Sequence, residues 1–149
     1  MIKSDIEKYI RENGELVTTP SGNSMWPMLR HKRDSVYFVK KNGRLEKYDL
    51  PIYKRVDGQL VMHRVVEVNE NDYTMCGDNQ YIVEKGIKEE QIIAVAKGFY
   101  RDEKYISCDN KWYIRYYKFW CKSLLIRRLI LVPVHLVIKI KNKMGKLLH

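Results

Sequence analysis

Residues 57–68 read Asp57-Gly58-Gln59-Leu60-Val61-Met62-His63-Arg64-Val65-Val66-Glu67-Val68. An apolar, alternating run from Gln59 to Val68 behind an Asp-Gly dipeptide reads as a strand entered through a tight hairpin, because that dipeptide tolerates the positive φ such turns demand. Comparable runs recur at about 15–19, 35–40, 50–56, 72–76 and 91–100, and Asn42-Gly43 supplies a second hairpin signal. Together they predict a mainly β domain. Ahead of them, residues 2–13 read as a short amphipathic helix, with Ile2, Ile6, Tyr9 and Ile10 on one side and Gly14 ending it.

At 149 residues the chain is one domain's worth, and 45% of it is hydrophobic. A chain of that length buries roughly two-thirds of the surface it exposes when unfolded. Its three cysteines, Cys76, Cys108 and Cys121, are odd in number and far apart, which predicts neither a disulfide framework nor zinc. His31 and His135 have no companions at ligand spacing and His149 is terminal, so no metal and no other cofactor is expected. There is no internal repeat and no glycine-rich phosphate loop.

The charge is unevenly placed. Of 28 basic and 18 acidic side chains, 10 basic and none of the acidic ones lie in residues 111–149, so the net charge of +10 belongs to the last part of the chain. We therefore divide the sequence into a domain at 1–110 and a basic, aromatic-rich helical tail at 111–149. Lys111, Arg115, Lys118 and Lys122 recur every three or four residues along one helical side, opposite a face rich in Tyr and Trp. Such a helix predicts binding to an anionic membrane surface; packing of the tail on the domain or on a partner is the competing reading. The longest uncharged apolar stretch, Leu129 to Ile138, has ten residues, about half of the roughly 20 needed to span hydrocarbon. With Arg127-Arg128 before it and a helix break expected at Pro133, an interfacial or re-entrant segment is the expectation. Nucleic acid is not expected as a partner.

Chemistry enters with a serine and a histidine. Ser24 lies in Ser21-Gly22-Asn23-Ser24-Met25-Trp26-Pro27, flanked by Pro20 and Gly22, a turn-rich setting that suits a nucleophile at the mouth of a cleft. A serine hydroxyl needs a base to take its proton as it attacks, and histidine does this best near neutral pH. His63, inside the Gln59–Val68 strand, would be aimed rigidly.

Five boxes then occur in one order: Ser24-Met25-Trp26-Pro27, Tyr48-Asp49-Leu50-Pro51-Ile52-Tyr53, His63-Arg64-Val65-Val66, Gly77-Asp78-Asn79 and Ala94-Val95-Ala96-Lys97-Gly98-Phe99. In order and spacing the chain resembles the type I signal peptidases over about residues 18–100, specifically the subgroup with histidine in place of the lysine base. The resemblance implies a LexA/signal-peptidase-like β-rich catalytic fold and a serine endopeptidase acting through an acyl-enzyme. Ser24 would be the nucleophile and His63 the general base. Asp78, or the glutamate six residues beyond it, Glu84, would orient the histidine. Gly22 stands where relatives carry a small hydroxyl residue, so the oxyanion donors would come from the Ser24 N–H together with Ser21 or Asn23, with Met25 beside the substrate. The substrate would be an extended leader-like peptide with small residues before the cleaved bond.

Met1 to Glu7 has no apolar segment, so neither a signal peptide nor the N-terminal anchor that the resemblance implies is expected. The corresponding expectation is an enzyme on the cytoplasmic side of the cell membrane, removing leaders from peptides or cleaving membrane-proximal proteins. Two other classes compete with it: a catalytically silent, membrane-associated binding module of the same fold, and a self-cleaving LexA-like regulator. The roughly 20 residues before Ser24 are too few for the two helices of a helix-turn-helix.

Overall fold

The computed structural model describes residues 3–147, and side chains from 6 to 141. It is mainly β, with two antiparallel sheets and three α-helices. Helix α1 (Lys3–Asn13) leads into β1 (Glu15–Thr18), β2 (Ser35–Lys40), β3 (Pro51–Lys54), β4 (Leu60–Met62), β5 (Arg64–Val68), β6 (Tyr73–Cys76) and β7 (Glu84–Ile87). A 3₁₀ turn at Glu89–Gln91, then β8 (Ile92–Arg101), β9 (Lys104–Ser107), α2 (Lys111–Cys121) and α3 (Leu124–Leu147) complete the chain. The N-terminal helix stops as expected: the Gly14 N–H bonds the Ile10 carbonyl at 2.9 Å with Gly14 at φ +79°. Ile6 and Ile10 turn toward the core whereas Tyr9 is exposed, and Ile2 lies outside the described residues.

One sheet runs β1-β2-β8-β3-β4 with β9 added to β8, and the other runs β5-β6-β7. The larger sheet separates two apolar cores. Ile52, Ala94 and Ala96 face one core with Phe38 and Phe99, while Tyr53 and Val95 face the other with Val65, Tyr73 and Met75. This alternation along β3 and β8 is the period of two that a strand imposes on its side chains.

The single strand expected over 59–68 is two. β4 pairs with β3 in the larger sheet, β5 pairs with β6 in the smaller, and His63 sits at the break. His63 and Arg64 are both buried, at 4% and 0% exposure. Consecutive inward side chains are incompatible with simple alternation, so the backbone breaks where the chain changes sheets. Asp57-Gly58 does close the β3–β4 hairpin, with the Arg55 N–H bonding the Gln59 carbonyl. Asn42-Gly43 does not close one, because the strand that follows pairs with β8 and β4 rather than with β2. Strands β7 and β9 lie outside the runs that the sequence marks.

The tail is docked over its first half rather than appended. Asn110 caps α2, its side-chain oxygen accepting from the N–H groups of Trp112 and Tyr113 at 2.9 and 3.4 Å. Most of the aromatic face expected to meet membrane turns inward: Tyr113 joins the core with Phe99, and Tyr116 and Tyr117 pack against it, while Trp112 and Phe119 stay exposed. The cause is a buried ion pair that needs polar company. Arg64 Nε and Nη2 bond the two Asp78 carboxylate oxygens at 2.9 and 2.8 Å, with both side chains fully buried. The Arg64 Nη1 donates to the Tyr113 hydroxyl at 2.9 Å, Tyr116 donates to Asp78 at 3.4 Å, and the Trp120 indole donates to the Asp78 carbonyl at 2.7 Å. In α3, Arg127 is 1% exposed and bonds the carbonyls of Gly77, Gln80 and Trp120. Helix α3 also runs through Pro133, where a break was expected. Buried Leu131 before that proline, and half-buried Val134 and His135 after it, hold the helix to the domain on both sides.

Removing one partner of a buried pair leaves the other charged in a medium that cannot solvate it. Asp78→Ala is therefore expected to cost about 3–5 kcal/mol, read as a lowered midpoint in urea denaturation. A loss within error of zero would refute this account of the pair.

Candidate functional site

Ser24, Ser21, Gly22 and Met25 line one cleft of about 280 Å³ together with His31, Arg55, Gln59 to His63 and Gln80. The loop that carries Ser24 is fixed on several sides. The Asn79 N–H bonds the Ser24 carbonyl at 2.7 Å, and the Asn79 side-chain amide bonds the Asn23 carbonyl at 3.1 Å. Farther along the loop, buried Asp34 is held by Arg33 and by Arg101 at the end of β8. A Cβ on Gly77 would lie 2.6 Å from the Ser24 carbonyl oxygen, so only glycine lets the two backbones approach this closely. Gly22 is at φ +96°, and its N–H is taken by the His31 imidazole at 2.9 Å. Among the described residues no acceptor takes the Ser24 N–H. Asn23 does not line the cleft, and its carbonyl serves Trp26 and Asn79.

His63 closes the opposite wall. Its Nδ1 lies 3.1 Å from the Tyr53 hydroxyl, and that hydroxyl lies 3.0 Å from Glu84 Oε2. Glu84 in turn accepts two bonds from the Arg55 guanidinium, at 2.8 and 2.5 Å. Those two Arg55 bonds hold its carboxyl below the usual carboxylate range against the opposing effect of burial. Burial and the neighbouring Glu84 raise the Tyr53 hydroxyl above its ordinary value, so it keeps its proton.

These facts fix the histidine. An ionised carboxylate only accepts, so the one Tyr53 proton points at Glu84 and the Tyr53 oxygen accepts from His63 Nδ1–H. Nε2 is left with the lone pair, the form a general base requires. Burial pushes the imidazole down to about 4, outweighing the pull of Glu84 upward. At neutral pH His63 is therefore uncharged, and the 3.9 Å approach of its Nδ1 to Glu84 is not an ion pair.

The two carboxylates proposed from sequence divide sharply. Asp78 is consumed by Arg64, Tyr116 and the fold, whereas Glu84 reaches His63, chiefly through Tyr53. Sequence reasoning assigned no role to Tyr53 or Arg55. Their spacing of two within the alternating run at 50–56, ending at the hairpin that delivers His63, is the signal that they share a face. No direct hydrogen bond joins the Ser24 and His63 side chains, which share the cleft; such contacts often tighten only when substrate binds. Among the described residues no group of three His, Cys, Asp or Glu side chains is placed to hold a metal ion.

Comparison with protein-family models, with curated proteins and with solved structures finds no match to this chain.

The depressed His63 value links site and stability. The unfolded chain takes up this proton near 6.5 and the folded chain only near 4. Unfolding thus binds a proton between those values, so stability is full above pH 6.5 and falls by about 3 kcal/mol as the pH drops to 4. Titration of the His63 Cε1 proton by NMR should give a midpoint near 4, and His63→Gln should flatten the pH dependence of unfolding in that window. A midpoint near 6.5 would show that the ring is solvated.

Proposed function

We propose that the chain is a serine endopeptidase of the signal-peptidase type, with a LexA/signal-peptidase-like catalytic fold, acting on extended leader-like peptides. The observation that carries this reading is a serine on a braced loop sharing a cleft with a neutral histidine whose Nε2 is left free by the Tyr53–Glu84 chain. The mainly β, two-sheet architecture is consistent with it.

In this mechanism Ser24 Oγ attacks the peptide carbonyl while His63 Nε2 takes its proton, forming a tetrahedral oxyanion. The Ser24 N–H donates to that oxygen. Gly22 N–H is already bonded to His31, so a second donor comes from substrate-induced rearrangement of the loop or from the Ser21 hydroxyl, which lines the cleft. His63 then gives its proton to the leaving amine, and water attacks the acyl-enzyme by the reverse sequence. During each transfer the imidazolium shares its Nδ1 proton with Tyr53, and Glu84 supplies the stabilising negative charge. Glu84 is the orienting acid, one hydroxyl removed, and Asp78 is a structural residue.

The cleft also suits an extended chain. β4 lies at the end of its sheet with one neighbour, and Gln59 to Met62 line the cleft directly beside His63. A peptide added along that open edge would have its backbone bonded by β4 and its scissile bond carried past Ser24. A neighbouring groove of about 400 Å³, lined by Ile6, Phe38, Ile52 and Val61 among others, continues the surface for apolar side chains.

Incubating the intact chain with a library of leader-like peptides and reading the products by mass spectrometry tests the reading. Ser24→Ala and His63→Ala should each lower the rate by about 10³-fold or more, and an acylating inhibitor should label the intact chain but not Ser24→Ala. Undiminished cleavage by Ser24→Ala would sink the mechanism, and an unlabelled, inactive intact chain would leave a binding module of this fold. The acid limb of kcat/KM should fall near pH 4, following the buried imidazole, rather than near 6.5. Tyr53→Phe should lower kcat more than KM, since it removes the acceptor for Nδ1–H without touching substrate.

A further inference from the structure

Helix α3 presents two different faces. Arg127, Leu131 and His135 look toward the domain, with His135 Nε2 2.9 Å from the Asn79 side-chain oxygen. On the opposite side Leu125, Leu129, Val132, Leu136 and Ile140 recur every three or four residues, and all are exposed, Leu125 and Leu129 at 73% and 76%. Exposed Ile126 and Val137 widen the stripe. A contiguous apolar face of this kind on a folded chain marks an interaction surface.

Its surroundings say what kind. Lys122, Arg128, Lys139 and Lys141 are exposed around it, and residues 111–149 contain no acidic side chain. Two copies packed face to face would bring these cations together with nothing to neutralise them, whereas an anionic lipid surface supplies both an apolar layer and compensating charge. Among the described residues no helix is long and apolar enough to cross a membrane.

We propose that the outer face of α3 lies on the surface of an anionic bilayer, with the stripe from Leu125 to Ile140 in the headgroup boundary and the flanking cations on the lipid phosphates. The part of the tail in contact with lipid is α3 rather than the Tyr113, Tyr116 and Tyr117 side of α2, which the domain covers. The helix is bonded through His135 to Asn79, and Asn79 is bonded to Ser24 and Asn23. Docking therefore holds the Ser24 loop in a fixed relation to the lipid surface.

Co-sedimentation of the full chain with phosphatidylcholine vesicles, with and without phosphatidylglycerol, tests this independently of any cleavage. The expected result is binding to the anionic vesicles, about tenfold or more tighter than to neutral ones and weakened by salt. Leu129→Glu and Leu136→Glu, which alter only exposed positions, should abolish it while circular dichroism stays unchanged. Equal binding to neutral vesicles, or binding retained by both variants, would overturn the assignment. So would absence of vesicle binding, including the case of a concentration-dependent dimer in light scattering that Leu129→Glu dissolves, which would assign the face to a second copy.

Discussion

The fully buried Arg64–Asp78 pair is the constraint around which the molecule is organised. Two charges without solvent need close to complete hydrogen bonding, and here the partners come from three separate parts of the sequence. Arg64 follows His63 and so fixes the strand break that aims the histidine. Asp78 lies between Gly77 and Asn79, the two residues that brace the backbone of Ser24. Besides the Tyr48 carbonyl, which also accepts from Arg64, the partners are Tyr113, Tyr116 and Trp120, which bring α2 onto the domain. One pair thus links the wall that carries His63, the loop that carries Ser24, and the tail.

That arrangement explains why two carboxylates close in sequence have different work. Asp78 is inaccessible and committed to a guanidinium, so its negative charge is spent on the fold. Glu84, on the edge of β7 and partly exposed, is held by Arg55 and reaches the imidazole through Tyr53. With Tyr53 between Glu84 and His63, the hydroxyl accepts the hydrogen bond from Nδ1–H, and the carboxylate stays 3.9 Å away from the ring. The imidazole is consequently governed by its burial more than by Glu84.

Much of the fold was legible from local pattern. The six alternating runs cover seven of the nine strands in the described residues, the Gln59–Val68 run holding both β4 and β5, and Gly14 marked the end of α1 because a positive φ there favours glycine. β7 and β9 were missed because Glu84–Ile87 and Lys104–Ser107 are mostly exposed and carry no clean apolar alternation; the strands they pair with define them. The chain does bend at Gly43, with a positive φ, yet pairing of the following strand elsewhere in the sheet makes the connection a crossover. The packing of Tyr113, Tyr116 and Tyr117 onto the domain was hidden in the same way. Tyr and Trp at helical spacing look identical whether they meet lipid or a buried arginine.

By itself the sequence determined that the chain is β-rich, that its excess positive charge lies in the last forty or so residues, and that Ser24 and His63 are the residues to examine, because composition, period and short motifs are local properties. Only the tertiary structure decided which carboxylate faces the histidine, that Tyr53 stands between them, and which side of the tail is left uncovered. Those outcomes depend on which groups lose water together, and desolvation is set by neighbours distant in the chain.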